Sequence, residues 1–141
     1  MTLRGHAGRA NRFVMEASSV DRARHALLAL HKSIIDAGRD EIERAEGRKL
    51  APAEMLQLLV GDARFAWLSA MTTLIVRLDE AMEPDAKENV ESVVAFAIDL
   101  LTPGVEHGTD AFRAAYAQQL QSSPSVVLAH RAATSALRTI K

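Results

Sequence analysis

The sequence predicts an all-α fold, a four-helix-type bundle with additional short helices. Apolar residues recur at spacings of three and four along most of the 141 residues, which is the period of one helical face. The four prolines fall between these segments or at their starts, where helices begin or end. No stretch alternates as a strand would, and the β-branched pair Ile75–Val76 lies within helical spacing.

The first helix is expected to begin near Ser18 or Ser19, whose hydroxyl can accept from the first-turn amides. It should end near Glu46, because Gly47 can adopt the left-handed conformation that terminates a helix. Residues 1–17 lack a clean period and are predicted to form a flexible N-terminal tail. Residues 18–141 contain no linker and no repeat, so they are predicted to form a single helical domain.

A short second helix should begin at Pro52 and end at Gly61, and apolar residues occupy almost every side of it. Such a helix is expected to lie buried or against a partner. Asp62 then caps the central segment, whose helix is predicted from about Ser69 to Met82, with residues 65–67 as a separate turn before it. The alternative is one continuous helix that starts at residue 63.

Local capping signals predict the remaining helices. Asp85 follows Pro84 and should start the next helix, which ends at residues 102–104. The next helix is expected to begin at Thr109 and Asp110. In the last helix, Ser123 is expected to be the N-cap and Pro124 the first helical residue.

Composition limits the classes of function. The chain contains no cysteine, which excludes a disulfide framework and a thiolate metal site. No apolar run approaches the ~20 residues of a membrane span, and the start lacks the apolar region of a secretory signal, so we expect a cytoplasmic protein without membrane contact. Residues 1–49 carry ten Lys/Arg against seven Asp/Glu, whereas residues 50–101 carry three against nine. The two regions can complement each other within one fold or between two copies.

Motifs for common chemistry are absent from the sequence. There is no glycine-rich phosphate loop, no Glu-x-x-His or HExxH pattern and no GxSxG elbow. We therefore expect no catalytic residue, no metal site and no cofactor. The Arg-rich start is not accompanied by a helix-turn-helix or a stacking surface, so nucleic-acid binding is not favoured.

Four residues remain as candidates for ligand or partner contacts: His31, Asp79, His130 and Trp67. The two histidines lie on the apolar faces of the first and last helices, where a histidine at the edge of a core with one hydrogen-bond partner is the more common case. Asp79 sits beside core-facing Leu78 and is expected in an ion pair or a helix-end hydrogen bond. Trp67 is expected to plug the core, with an exposed anchor for a partner as the alternative.

Two stretches resemble a group of small uncharacterised bacterial helical proteins. These carry an L-H-K-x-L-L-D core followed by D-P-x-F-A-W-L-R-P-L-S-x-L-I-V-x-I-D-E. The matching residues here are Leu30, His31, Lys32, Ile35, Asp36, Asp62, Phe65, Ala66, Trp67, Leu68, Leu74, Ile75, Val76, Asp79 and Glu80. The chain departs from the pattern at residues 63 and 69–70, where the pattern has prolines. The resemblance implies a helical fold and does not imply a reaction.

The sequence thus predicts a non-enzymatic helical interaction protein. We expect it to self-associate as a homodimer, or else to bind a protein partner. Two observations support this prediction. The second helix carries apolar residues on almost every side, and residues 1–49 and 50–101 have opposite net charge. The alternative is a small-molecule or metal-binding bundle in which His31, Asp79 and His130 converge on one pocket.

Overall fold

A computed structural model describes the backbone of residues 2–102 and 110–140, and the side chains of residues 18–102 and 111–140. The helices are α1 (Thr2–Glu46), α2 (Pro52–Gly61), a 3-10 helix (Ala63–Leu68), α3 (Ser69–Ala81), α4 (Val90–Leu101), α5 (Asp110–Ser122) and α6 (Pro124–Arg138). No strand occurs in these ranges, so the predicted all-α class is confirmed.

Helix α1 is longer than the sequence predicted. Its 45 residues begin at Thr2, so the expected start at Ser18 or Ser19 is wrong and both serines lie inside the helix. That residues 1–17 form a flexible tail stays a prediction, because the side chains of this stretch lie outside the described residues. The helix ends as expected at Gly47, which has a φ of 68° and donates its N–H to the carbonyl of Glu43.

Local side-chain chemistry sets the bounds of α2 and the 3-10 helix. The Glu54 carboxylate accepts from the Ala51 amide at 3.2 Å, which satisfies a free donor at the start of α2. The Asp62 carboxylate accepts from the Arg64 amide at 2.8 Å and caps the 3-10 helix. The predicted turn before α3 is present as a 3-10 helix, but it passes into α3 at Ser69 without a break, so the chain is also helical from residue 63 onward, as in the alternative.

The predicted start of α4 at Asp85 is wrong. The helix begins at Val90, and the Asn89 side chain accepts from the Ser92 amide at 2.8 Å. Glu88 is held outside the helix because its carboxylate accepts two hydrogen bonds from the Arg77 guanidinium, which also lies 4.5 Å above the Phe96 ring. This contact between α3 and α4 fixes the connection and delays the start of α4.

The last two helices begin near the predicted positions. Ser123 accepts from the Val126 amide and Pro124 occupies the first position of α6, as the sequence indicated. Arg113 on α5 donates to the carbonyls of Thr102 and Asp99 at 2.9 Å each, which satisfies acceptors at the C-terminal end of α4. Residues 103–109, which include His107, lie outside the described residues.

The main core is enclosed by α1, α3, α4 and α6, each of which contacts two of the others: α1 contacts α3 and α6, and α4 contacts the same two helices. Its most buried large side chains are Leu27, Leu30, Ile34, Met71, Leu74, Leu78, Val93, Leu101, Phe112, Val126 and Leu137. The apolar stripes that the sequence placed on α1 and α3 face this core, as expected for amphipathic helices.

A second, smaller cluster lies where α2 and the 3-10 helix meet the C-terminal part of α1. It consists of buried Ile42, Met55 and Phe65, with half-buried neighbours at its edge. The Phe65 ring approaches the α1 backbone at Gly38, where an added Cβ would lie 2.7 Å from a ring carbon. From α5, the Gln119 amide donates to the Ile34 carbonyl at 3.2 Å, one turn before Gly38.

No single helix within the described ranges is long and apolar enough to cross a membrane. Only α2 and the segment Ala63–Ala81 taken together reach that length and composition, and they are bent by 74° relative to each other.

We expect Gly38→Ala to lower the free energy of unfolding by about 1–3 kcal/mol, because the new methyl group overpacks the buried Phe65 ring. Urea unfolding monitored by circular dichroism measures the change. Gly61→Ala is the matched control, since nothing lies within 4 Å of its Cβ position and alanine favours a helix by about 0.5–1 kcal/mol. Equal stability of the two variants would contradict the close approach.

The corrected start of α4 is tested by removing each candidate cap. Asn89→Ala should cost about 1 kcal/mol of stability, because it leaves the Ser92 amide without its acceptor. Asp85→Ala should change stability by less than about 0.5 kcal/mol, since it is an exposed residue outside the helix. Thermal unfolding of both variants checks the order, and the reverse order would place the cap at Asp85.

Candidate functional site

Two of the predicted candidates, His31 and Asp79, lie along the contact between α1 and α3. The Asp79 carboxylate forms an ion pair with Nε of Arg24, which confirms the expected ion pair. His31 Nε2 and the Thr72 hydroxyl form a hydrogen bond of 3.2 Å. His31 is half-buried, and burial lowers its pKa from the ordinary value.

The antiparallel run of α1 and α3 keeps these two pairs apart. Arg24 and His31 are seven residues apart on α1, and Thr72 and Asp79 are seven residues apart on α3. Seven residues of a helix span about 10 Å, so the two pairs lie two turns from each other. Between them, Leu28 and Val76 are exposed. The two predicted residues therefore share one surface but do not share a site.

His130 lies in a separate environment, between α5 and α6. Its Nδ1 is 2.6 Å from the hydroxyl of Tyr116, a buried residue whose pKa is raised by burial. Burial also lowers the pKa of His130, and the charge of Arg138 adds to this. Both histidines therefore match the expected histidine at the edge of a core with a hydrogen-bond partner.

Trp67 is half-buried and packs against the main core. Its indole N–H donates to the Arg64 carbonyl at 2.8 Å, and its ring lies 5.7 Å from that of Phe112. Phe112 stacks in turn on Tyr116 at 5.2 Å. Trp67, Phe112 and Tyr116 thus form a row of aromatic contacts, and Trp67 is the residue through which the 3-10 helix packs on α5.

Metal coordination by the predicted residues has no geometric support. Within the described side chains, no group of three or more His, Asp or Glu is placed to hold a metal ion. His31, Asp79 and His130 each contact a different neighbour: Thr72, Arg24 and Tyr116. The alternative of a pocket shared by these three residues is therefore not supported.

The outer face of α2 is the most exposed apolar surface among the described residues. Leu56 is 63% exposed and Val60 is 83% exposed. They lie four residues apart, so they share one face of the helix, together with exposed Ala53 and Gln57. The opposite face is held by Met55, which is buried in the second cluster. We call the four outer residues the α2 outer face.

A charged flank borders the α2 outer face on one side. At its N-terminal end the Arg48 guanidinium donates to the Glu54 carboxylate at 2.8 Å. At its C-terminal end Arg64 makes a two-bond contact with Asp62, and these hydrogen bonds lower the pKa of Asp62 to about 2. Between them lies an open depression of about 290 Å³ lined by Glu46, Arg48, Glu54, Gln57, Leu58, Gly61 and Asp62.

Sequence reasoning selected α2 as a whole but did not select these residues. Met55 and Leu59 form one stripe with a spacing of four, and Leu56 and Val60 form another. The stripes are equally apolar, so periodicity alone does not choose which one faces inward. The choice is made by Ile42 and Phe65, which contact Met55 in the second cluster.

Acid should destabilise the fold through His31 and His130. The folded state lowers the pKa of both imidazoles, so the unfolded chain takes up protons at a higher pH than the folded protein does. The free energy of unfolding should therefore fall as pH decreases from about 7.5 to about 5. Urea unfolding across this range measures the slope.

His31→Gln and His130→Gln should each reduce that slope, because each removes one group that binds protons preferentially in the unfolded chain. His25→Gln controls for the loss of an exposed imidazole, since its side chain is 66% exposed. A slope that both core-edge variants leave at the wild-type value would contradict this assignment.

Comparison with known proteins adds no family to this geometry. No protein-family model, no curated protein and no solved structure matches the chain. The resemblance of residues 30–43 and 62–80 to a group of bacterial helical proteins stays a prediction. The function is therefore argued from the contacts and surfaces of this chain.

Proposed function

We propose that this protein is a non-enzymatic helical interaction protein that self-associates through the α2 outer face. The observation that carries the proposal is the exposure of Leu56 and Val60, two large apolar side chains one turn apart on a short helix. A contiguous apolar patch with a polar rim is typical of a protein-interaction site. The charged flank of Arg48, Glu54 and Arg64 supplies that rim.

A second copy is the partner that the chain itself supports best. A two-fold interface uses the same patch on both subunits, so one exposed face is sufficient. The pair Leu56–Val60 is self-complementary, since either residue can pack on either residue of the other copy. A 10-residue helix is about 15 Å long, so α2 alone buries less than a standard interface of about 800 Å² per partner. We therefore expect a weak, reversible dimer.

The polar candidates support an interaction role over a ligand-binding one. His31, Asp79 and His130 are engaged by three different neighbours and do not line the depression beside α2. The lack of cysteine in the sequence agrees with a cytoplasmic location, which we include in the proposal. No observation favours the metal-binding or nucleic-acid alternatives over self-association.

Replacing both Leu56 and Val60 by Gln should convert a concentration-dependent monomer–dimer mixture into a monomer. The reason is that the interface loses its apolar centre while the helix keeps side chains of high helix propensity. Sedimentation velocity from low to high micromolar concentration measures the effect. Because neither residue is buried, the fold should keep its helical content.

Leu128→Gln is the matched control. This leucine on α6 is 67% exposed, but Pro124, Ser125, Arg131 and Ala132 surround it and no large apolar side chain is exposed one turn away. The control should dimerise like the wild type. A wild-type protein that is monomeric at all concentrations, or an equal loss in the control, would overturn the proposal.

A further inference from the structure

We infer that the second copy docks with its α2 antiparallel, so that Arg64 of one copy lies beside Glu54 of the other at each end of the interface. The inference rests on the proposed self-association and specifies its geometry. It follows from the position of the charged flank relative to the α2 outer face, and not from the apolar residues themselves.

The apolar residues permit two arrangements. In an antiparallel pair with the two-fold axis between residues 56 and 60, Leu56 packs on Val60 of the other copy. In a parallel pair each residue packs on its own counterpart. Both arrangements bury the same side chains, so the hydrophobic effect does not distinguish them.

The charges do distinguish the two arrangements. All the charged residues around the depression lie on one side of the α2 outer face, with Arg48 and Glu54 near the start of α2 and Asp62 and Arg64 just beyond its end. Asp62 lines the depression, and the Arg64 guanidinium donates to its carboxylate at 2.9 and 3.0 Å, so Arg64 lies at the same end of the flank.

A two-fold axis perpendicular to an antiparallel helix pair brings both flanks to the same side of the interface. The start of one α2 then lies beside the end of the other. Arg64 therefore meets Glu54, and Arg48 meets Asp62, at both ends by symmetry. A parallel pair places the flanks on opposite sides and gives no such contacts. Electrostatic complementarity of this kind selects orientation.

Both guanidinium groups retain N–H donors for a further carboxylate, although Arg48 already contacts Glu46 and Glu54 within one copy. Arginine has five N–H donors, and Asp62 takes two of those of Arg64. The Arg64 side chain is 53% exposed and the Arg48 side chain is 52% exposed, so both can contact a neighbouring chain without breaking the existing pairs. The ion pairs within one copy thus fix the positions of the Arg48 and Arg64 guanidinium groups, which can then contact carboxylates of the other copy.

Charge reversal tests the geometry. Glu54→Lys alone or Arg64→Glu alone should weaken dimerisation roughly tenfold or more, because either change makes the facing charges alike at both ends of the dimer. The double variant Glu54→Lys/Arg64→Glu should restore dimerisation to within about threefold of the wild type. Sedimentation equilibrium measures the dissociation constants.

The double variant separates contacts between copies from contacts within one copy. Within one copy it places the introduced lysine beside Arg48 and the introduced glutamate beside Asp62, which is repulsive. Recovery in the double variant therefore requires the contact to be between copies. Lys32→Glu controls for net charge, since its side chain is 81% exposed on α1, and it should leave dimerisation unchanged.

The outcomes distinguish this inference from the proposal beneath it. If Leu56 and Val60 are required for dimerisation but the single charge reversals have no effect, the antiparallel geometry is wrong and self-association through α2 stands. If the double variant is no better than the singles, the geometry is likewise overturned. Circular dichroism confirms that each variant is folded, and equimolar mixing of the two single variants provides a second readout, since the mixed dimer should form in preference to either parent.

Discussion

The close approach of Phe65 to the α1 backbone at Gly38 determines where α2 lies. A side chain at position 38 would occupy space that the ring fills, so the glycine allows the 3-10 helix to contact α1 directly. Phe65 then completes the second cluster with Ile42 and Met55, and α2 contacts this cluster through buried Met55 and half-buried Leu58 and Leu59. At the same turn of α1, Gln119 donates to the Ile34 carbonyl, so α5 also meets α1 there. One face of α2 is thereby fixed inward and the other is left in solvent.

The separation of the predicted site residues has an equally simple cause. Helical spacing identifies which residues share a face, but it does not identify the neighbouring helix or its register. Asp79 meets Arg24 and His31 meets Thr72 because α1 and α3 run antiparallel, which orders the pairs along the contact. His130 is drawn to Tyr116 on α5 by a short hydrogen bond in a partly buried setting. Each of these polar side chains thus has a hydrogen-bond or ion-pair partner on the helix that packs next to it, as partly buried polar groups require.

The sequence predicted the fold best where the chemistry is local. Pro52, Asp62 and Ser123 mark helix boundaries by their own side chains, and the structure places boundaries there. The start of α4 was predicted wrongly at Asp85 because Asn89 is an equally good N-cap residue. The choice between them depends on the ion pair of Glu88 with Arg77, a contact between distant turns that no local pattern encodes. The exposed side of α2 could not be predicted for the same reason. Contacts with Ile42 and Phe65, which are distant in sequence, decide which side of α2 is buried.

The α2 outer face combines two kinds of interaction that act on different properties of a dimer. Full burial of a leucine or valine side chain gains about 1.5–3 kcal/mol. The four side chains of a dimer therefore gain at most about 6–12 kcal/mol on full burial, which is of the same order as the cost of association, about 4–15 kcal/mol. Exposed ion pairs contribute little further free energy, typically below about 1 kcal/mol each. Their effect is to penalise wrong orientations, in which like charges of the flank would meet. Apolar contact thus sets whether two copies associate at all, and the flank sets how they are arranged, which is why a patch too small for a permanent interface can still have a defined geometry.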